Sequence, residues 1–431
     1  MLQPTKNIRE QALPKLWFAM LLLVGESVRA DLTQEIADAL NFNNGEYGAI
    51  KMDLNYRWEN VDQDQGGMPN PKTANANTAR LRLGLLSPTF YDFQAYVEYE
   101  GNYAMQEDYN STVNGRRQYS TILDPDRSEL NQFWLSYKGI ADTLFKLGRQ
   151  RIKLDDDRFI GNVGWRQMEQ TYDSILISHN NQTLFGLTVN AGYIDHVQNP
   201  AGKTEDMNSP FLNVNYKLED WGNLTAYGYW LDYRERENFY KSSQSYGLRF
   251  DGKSPPFFDT INAIYTAEWS TQSDYADNPN HYHVDRINLM AGASAFDLTL
   301  SAAMEQLNGL GSSSGNPKDT TTFKSFQTPL GTNHAFQGWA DLFLTTPAYG
   351  IRDLFATASY KTMNDSLIIT GMYHDFMDDT GAIEYGKEWD FSLLKKFGKH
   401  YSLLAKYANF NSDNPAYTDT QKIWLQANMS F

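Results

Sequence analysis

From residue 48 onward apolar and polar side chains alternate with a period of two. Ile50, Met52, Leu54, Tyr56 and Trp58 interleave with Lys51, Asp53, Asn55, Arg57 and Glu59. Successive side chains of a strand point to opposite faces, so this spacing predicts a strand with one greasy and one charged face. A single strand of this kind fits a soluble sandwich as well as a membrane wall. Repetition along the chain decides between them. The pattern returns at Ala79/Leu81/Leu83/Leu85, Phe93/Ala95/Val97/Tyr99, Leu212/Val214/Tyr216, Tyr246/Leu248/Phe250, Ile261/Ala263/Tyr265/Ala267/Trp269, Leu298/Leu300/Ala302/Met304 and Trp389/Phe391/Leu393. Each copy supplies one narrow apolar stripe, and no second apolar layer is available to cover the stripes. Lipid is the partner that fits such a surface.

The connections alternate between short and long, the second mark of a membrane barrel. Short turns are predicted near Ser87-Pro88, 139–143, Asn180-Asn181, 219–223, 254–259, 295–297, 362–365 and 398–400. Long polar loops are predicted near 60–76, 104–128, 153–172, 196–209, 235–243, 271–282, 307–350, 377–386 and 411–420. Of these, 307–350 and 104–128 are expected to fold inward and narrow the lumen. Nineteen segments qualify as strands, but a single-chain barrel with both ends on one side needs an even number. Residues 338–346 are the weakest, because Leu342-Phe343-Leu344 breaks the alternation and Pro347 follows at once. Eighteen strands remain: an all-β, transmembrane antiparallel barrel over 48–431. The last strand runs to Phe431, with Ile423, Leu425, Ala427 and Met429 in phase with it. That ending resembles the C-terminal signal read by the barrel-assembly machinery.

Upstream, Lys6, Arg9 and Lys15 precede the apolar run Leu16 to Gly25, and Val28-Arg29-Ala30 resembles a small-residue cleavage site. Residues 1–30 are read as a secretory signal peptide and 31–47 as a short periplasmic segment, with a helix opened by Asp31 and carrying Leu32, Ile36, Ala39 and Leu40. A run of ten apolar residues is half of the ~20 needed to span a bilayer as a helix.

Composition agrees with this picture. The 431 residues include no cysteine and 14% aromatics, suiting passage through an oxidising compartment and rings placed at headgroup level. Removing residues 1–30 takes away four basic and two acidic residues, so the formal charge moves from −15 to −17. That balance speaks against a nucleic-acid partner. The expected location is the outer membrane of a Gram-negative bacterium.

One segment carries a family resemblance. Residues 145–176, FKLGRQRIKLDDDRFIGNVGWRQMEQTYDSIL, resemble the signature stretch of the alginate-export family of outer-membrane barrels. DALNFNNGEYGAIKMDLNYRWENV (38–61), ANTARLRLGL (76–85), the Glu98/Glu100 strand and TPAYGIRDLFA (346–356) agree with it. The resemblance implies an 18-stranded barrel and, for the founding member, a lumen lined by arginines that passes an anionic polyuronate. Candidates for that lining are Arg57, Arg80, Arg82, Arg249 and Arg286 on the polar phase, with Arg149 and Arg151 from the signature. Continuing Phe145 and Leu147 outward would place both signature arginines in lipid; a bulge at Gly148 would turn them inward. The alternative is that the arginines pair with Asp53, Glu98, Glu100, Asp155, Asp156, Asp157 and Glu268 and brace the wall.

The functional reading is a passive channel for hydrophilic solutes, anionic or sugar-like; its alternative is an export channel for an acidic exopolysaccharide. A surface hydrolase is the remote third, since no nucleophile motif occurs. No cofactor is expected. Asp155, Asp156 and Asp157 are adjacent on an extended loop and point in alternate directions, a poor cation cage, and the seven histidines are expected to lie scattered on the surface.

Overall fold

A computed structural model describes residues 26–42, 45–64, 71–181, 186–312, 314–319 and 323–431. The proposed signal sequence therefore lies largely outside the described residues. A helix, α1 (Glu26–Leu40), is the first element of the described residues and touches the first strand. It begins before Asp31, which is therefore not its cap: nothing in 26–30 breaks a helix, so the backbone bonding continues through the expected cleavage site.

Eighteen strands follow. They are β1 (Ala49–Asp64), β2 (Ala74–Leu86), β3 (Phe93–Asp108), β4 (Arg127–Ile140), β5 (Thr143–Gln150) and β6 (Thr171–Asn181). Next come β7 (Leu187–Gln198), β8 (Thr204–Leu218), β9 (Gly222–Leu231), β10 (Ser243–Lys253), β11 (Asn262–Asp274) and β12 (His283–Ala295). The wall ends with β13 (Leu298–Leu307), β14 (Ile351–Thr362), β15 (Leu367–Met377), β16 (Glu384–Phe397), β17 (Tyr401–Ser412) and β18 (Asp419–Ser430). Each strand pairs antiparallel with its sequence neighbours, and β1 pairs with β18 from Asp53↔Ser430 to Asp64↔Asp419. Phe431 extends that seam, its N–H donating to the Met52 carbonyl at 2.8 Å and its own carbonyl accepting from Met52 at 3.0 Å. Closure leaves no edge, the condition for strands to cross hydrocarbon.

The predicted phases hold. Leu85, Leu300 and Phe391 point out and are 51%, 50% and 49% exposed, whereas their neighbours in the opposite phase are covered from inside. Trp269 and Trp389 lie toward the long-loop end and Tyr216 and Tyr360 toward the short-turn end, where amphipathic rings match the headgroup region. Residues 338–346 form no strand and belong to the 308–350 loop.

Two loops fold into the lumen. The 151–170 and 308–350 segments meet there through a bridge between Ile160 and Leu330, with Gly161 N–H on the Leu330 carbonyl at 3.0 Å and Thr332 N–H on the Asp157 carbonyl at 2.9 Å. Phe159, Ile160, Phe326, Leu330 and Phe343 from these loops pack on Tyr172, Tyr227, Tyr229, Phe376, Phe410 and Trp424 of the wall. The 109–126 loop also turns inward: Tyr109 and Ile122 pack on Val61, Ala74 and Ala76. Thus a small apolar core occupies the long-loop half of a barrel whose wall is otherwise largely polar inside.

Candidate functional site

The inward phase of β1 to β4 carries the first ionic group. Arg82 stands opposite Glu100 in the β2–β3 register, and the two side chains bond directly. Glu169, delivered by the 151–170 loop, sits 3.7 Å from Arg82 and also binds Arg151, which reaches Glu98 at 2.8 Å. Arg80 binds Asp53, and Arg57 bonds Gln426 at 3.1 Å and Asp124 at 3.4 Å. Asn131 Nδ2 donates to Glu98 at 2.8 Å, which becomes possible because a bulge in β4 turns both Asn131 and Gln132 inward.

Across the lumen a second group forms on β10 to β13. Arg286 is fully buried, 2.6 Å from Glu305 and 2.9 Å from Glu268. Arg158 comes down from the 151–170 loop to Glu305 at 3.0 Å and to Gln337 of the other loop at 2.9 Å. Arg249 meets Asp156 at 2.5 Å, Asp251 at 3.0 Å and Glu268 at 3.1 Å.

Between them lies a third group. Arg166 and Lys422 converge on Asp341 at 2.9 and 2.8 Å. Asp341 in turn accepts from His334 Nδ1 at 2.6 Å, and Lys406 donates to His334 Nε2 at 2.7 Å. Burial pushes the His334 imidazole well below its usual range, so the ring is neutral and fits between a carboxylate and an ammonium. Trp165 stacks on that ring at 4.4 Å. Gly338 (φ +76°) lets the 308–350 backbone come against Glu388, whose Oε2 lies 2.4 Å from where a Cβ would stand, while Ala340 N–H bonds Oε1 at 2.7 Å.

The sequence candidates thus separate into two sets. Arg57, Arg80, Arg82, Arg151, Arg249, Arg286, Asp53, Glu98 and Glu100 face the lumen, each with an ionic or hydrogen-bonding partner. Arg149 does not. No bulge occurs at Gly148, so Arg149 keeps the outward phase of Leu147 and binds Asp173 of β6 at 2.7 Å on the outer face. Arg151 escapes that phase because β5 ends at Gln150 and the chain turns into the lumen. Asp155, Asp156 and Asp157 go to separate partners: Asn213, Arg249 and Lys153. The expectation of surface histidines is corrected at two positions, since His334 and His374 are buried, each against an aspartate, Asp341 and Asp353.

Sequence reading missed Arg158, Arg166, Glu169, Asp124, Glu305 and Asp341. Five of these sit in loops, three of them (Arg158, Arg166 and Glu169) in the one loop of the three that was not expected to fold inward, and a loop carries no periodicity that would reveal which way a side chain faces.

Asp155 offers a titration test. Burial, reinforced by the Asp156 charge and only partly offset by Arg249 and by the hydrogen bond from Asn213, pushes its carboxyl up to about 6. An acid whose folded pKa is raised favours the fold while protonated, so its contribution is present at low pH and is lost as pH rises through about 6. We expect one carboxyl to titrate there by carbon-detected NMR, and Asp155→Asn to remove it; a normal titration near 4 in the native barrel would refute the assignment.

The alginate export family profile matches residues 47–382. The chain belongs to the alginate export family. No curated protein matches it. Solved structures similar to this family member include Acinetobacter baumannii OccAB3, at 16% identity and TM-score 0.66, covering 89% of this chain and 99% of that one. Pseudomonas aeruginosa OpdK with vanillate gives 12% and 0.65, with coverage of 89% and 99%, and Pseudomonas aeruginosa OccK9 gives 14% and 0.66, with 90% and 99%. At these identities the likeness speaks for the fold alone, an 18-stranded outer-membrane barrel, and it agrees with the strand count obtained from period-two patterning.

Proposed function

We propose that this member of the family is an outer-membrane channel for hydrophilic, anionic or sugar-like solutes. The observation that carries the reading is the closed eighteen-stranded wall with charged pairs on its inner face, narrowed from within by the 151–170 and 308–350 loops. A wet path bounded by charged pairs passes polar solutes and excludes apolar ones. Export of an acidic polysaccharide is the second reading, and family membership favours it. In both readings the mature chain starts at Asp31 and the strand ending at Phe431 engages the assembly machinery. A surface hydrolase draws no support from the buried histidines: His334 faces a lysine and His374 a carboxylate, and neither faces a hydroxyl.

The test is reconstitution in planar bilayers under a salt gradient. The native barrel is expected to conduct. Arg80→Ala with Arg82→Ala leaves Asp53 and Glu100 without their main cations, so the reversal potential moves toward cation preference. A silent bilayer in which the protein is correctly inserted would sink the channel reading, and an unchanged reversal potential would remove these arginines from the selective path.

A further inference from the structure

Most inward side chains between the inner loops and the short turns are polar or small, such as Asn190, Asn215, Thr266, Ser301 and Thr357. One stretch of wall departs from this. Ile368 of β15, Leu394 of β16 and Leu404 of β17 stand in direct register, Ile368↔Leu394 and Leu394↔Leu404. All three point inward: Ile368 shares the phase of His374, Leu394 that of Asp390 and Leu404 that of Lys406, while Ile369 and Leu393 take the lipid side at 43% and 45% exposure. The other inward aliphatics at this depth have no such neighbours, since Leu144 faces Ser178, Leu176 faces Lys146 and Gly192, and Ile264 faces Lys253 and Gly292.

Packing does not account for this strip. Its members are partly exposed, and none belongs to the apolar core that the 151–170 and 308–350 segments build higher in the lumen. Above it on β15, beyond Thr370, Met372 continues the apolar face, and Phe355 on β14 stacks on His374 at 5.1 Å. Polar groups close the strip at both ends: Lys361 is in register with Ile368, and Gln426 with Leu404. Lys361 and Lys396 are exposed, inward, and on the turn side of the strip. Below Glu305, Asp353 and Asp390 the inward phases of β13 to β18 carry no carboxylate. The turns do: Asp297, whose carbonyl accepts from Lys361 N–H at 3.0 Å, and Asp365 stand on the same rim. They offset the lysine charge at a distance, so the rim holds no strong positive field, but among the described residues neither forms an ion pair with Lys361 or Lys396.

We propose that the strip binds the tail of an amphipathic monocarboxylate, an unbranched alkyl chain with one acid group, whose head is held by Lys361 and Lys396 and whose tail lies across β15, β16 and β17. The proposal rests on the channel reading and adds to it a solute class and a site. Neighbouring strands are about 4.8 Å apart, so three aliphatic side chains in register cover roughly 10 Å of wall, and Lys361 extends the line by one strand. A chain laid on that wall is covered on one side, which makes each methylene worth about a two-fold gain in affinity, half the free energy of full burial. A fully hydroxylated solute gains nothing there, because pressing hydroxyls on Ile and Leu gives up their hydrogen bonds to water. Hydrophobic contact is non-directional, so the bound tail stays free to slide, with Met372 and Phe355 as the next hold toward the long-loop end.

The experiment uses the full barrel in lipid nanodiscs with labelled Ile and Leu methyl groups, titrated with butanoate, hexanoate, octanoate and decanoate. The methyl resonances of Ile368, Leu394 and Leu404 are expected to shift saturably, with affinity rising roughly fifteen-fold from butanoate to octanoate and levelling off by decanoate, where the tail outruns the strip. Leu393, on the lipid side, reports acid dissolved in the bilayer and should not saturate. Lys361→Gln with Lys396→Gln should weaken octanoate several-fold and leave octanol unaffected. Ile368→Thr, Leu394→Ser and Leu404→Ser combined should abolish the dependence on tail length. Ser392→Leu adds hydrocarbon to the same inner face and should tighten octanoate about two-fold or more, so the prediction does not hang on a variant that fails to fold. Affinity independent of tail length in the native barrel, or a length dependence that survives the triple substitution, overturns the strip as a site. Conductance in planar bilayers keeps the two readings apart: a silent native barrel sinks the channel while the methyl titration still decides the site, and a conducting barrel without saturable shifts does the reverse.

Discussion

Arg286→Ala is expected to lower the unfolding free energy of the barrel by about 1–3 kcal/mol, less than when removing one partner leaves a buried charge uncompensated. The guanidinium is wholly enclosed, with Glu305 at 2.6 Å and Glu268 at 2.9 Å. Deleting it leaves Glu268 with Arg249, and Glu305 with Arg158, so neither carboxylate is abandoned, but two cations then hold what three held before. Arg158 belongs to the 151–170 loop, and the same loss should therefore redistribute that loop. Urea titration of protein folded in lipid vesicles checks the energy. A cycle with Glu305→Ala isolates the pair: the double variant should lose less than the sum of the singles. Strict additivity would show that the 2.6 Å contact carries no coupling.

Phe343→Ala is expected to release the 308–350 loop and leave the wall standing. The ring packs on Phe376 at 4.7 Å, Tyr417 at 5.0 Å, and Tyr385 and Phe410 at 5.9 Å. Truncating a buried Phe costs about 3–5 kcal/mol. Here the cost falls on docking, since the backbone of residues 338–346 takes no part in the strand ladder. Single-channel conductance should rise several-fold, with current noise from the undocked segment, while the main unfolding transition stays in place. Unchanged conductance would mean that the solute path avoids this part of the lumen.

The wall was legible in the sequence because lipid and water enforce opposite chemistry on alternate residues. Where that enforcement stops, legibility stops with it. β1 runs on to Asp64, β8 begins at Thr204 and β11 reaches Asp274, all inside stretches assigned to loops, because beyond the hydrocarbon both faces can be polar. The dismissal of 338–346 as a strand succeeded on its broken alternation and the inward course of 307–350 was expected, yet where it docks was invisible, since Trp339, Asp341 and Phe343 find their partners on distant strands. Arg149 and Arg151 share a phase on paper, and only the end of β5 at Gln150 separates their fates.

The bridge between Ile160 and Leu330 joins segments that leave the wall between β5 and β6 and between β13 and β14, eight strands apart in a ring of eighteen. Such a link is a strut across nearly the full width of the cylinder. It ties any ovalisation of the wall to movement of both inner segments, so they travel as one piece, and the passage is expected to switch between discrete levels of current instead of widening by degrees.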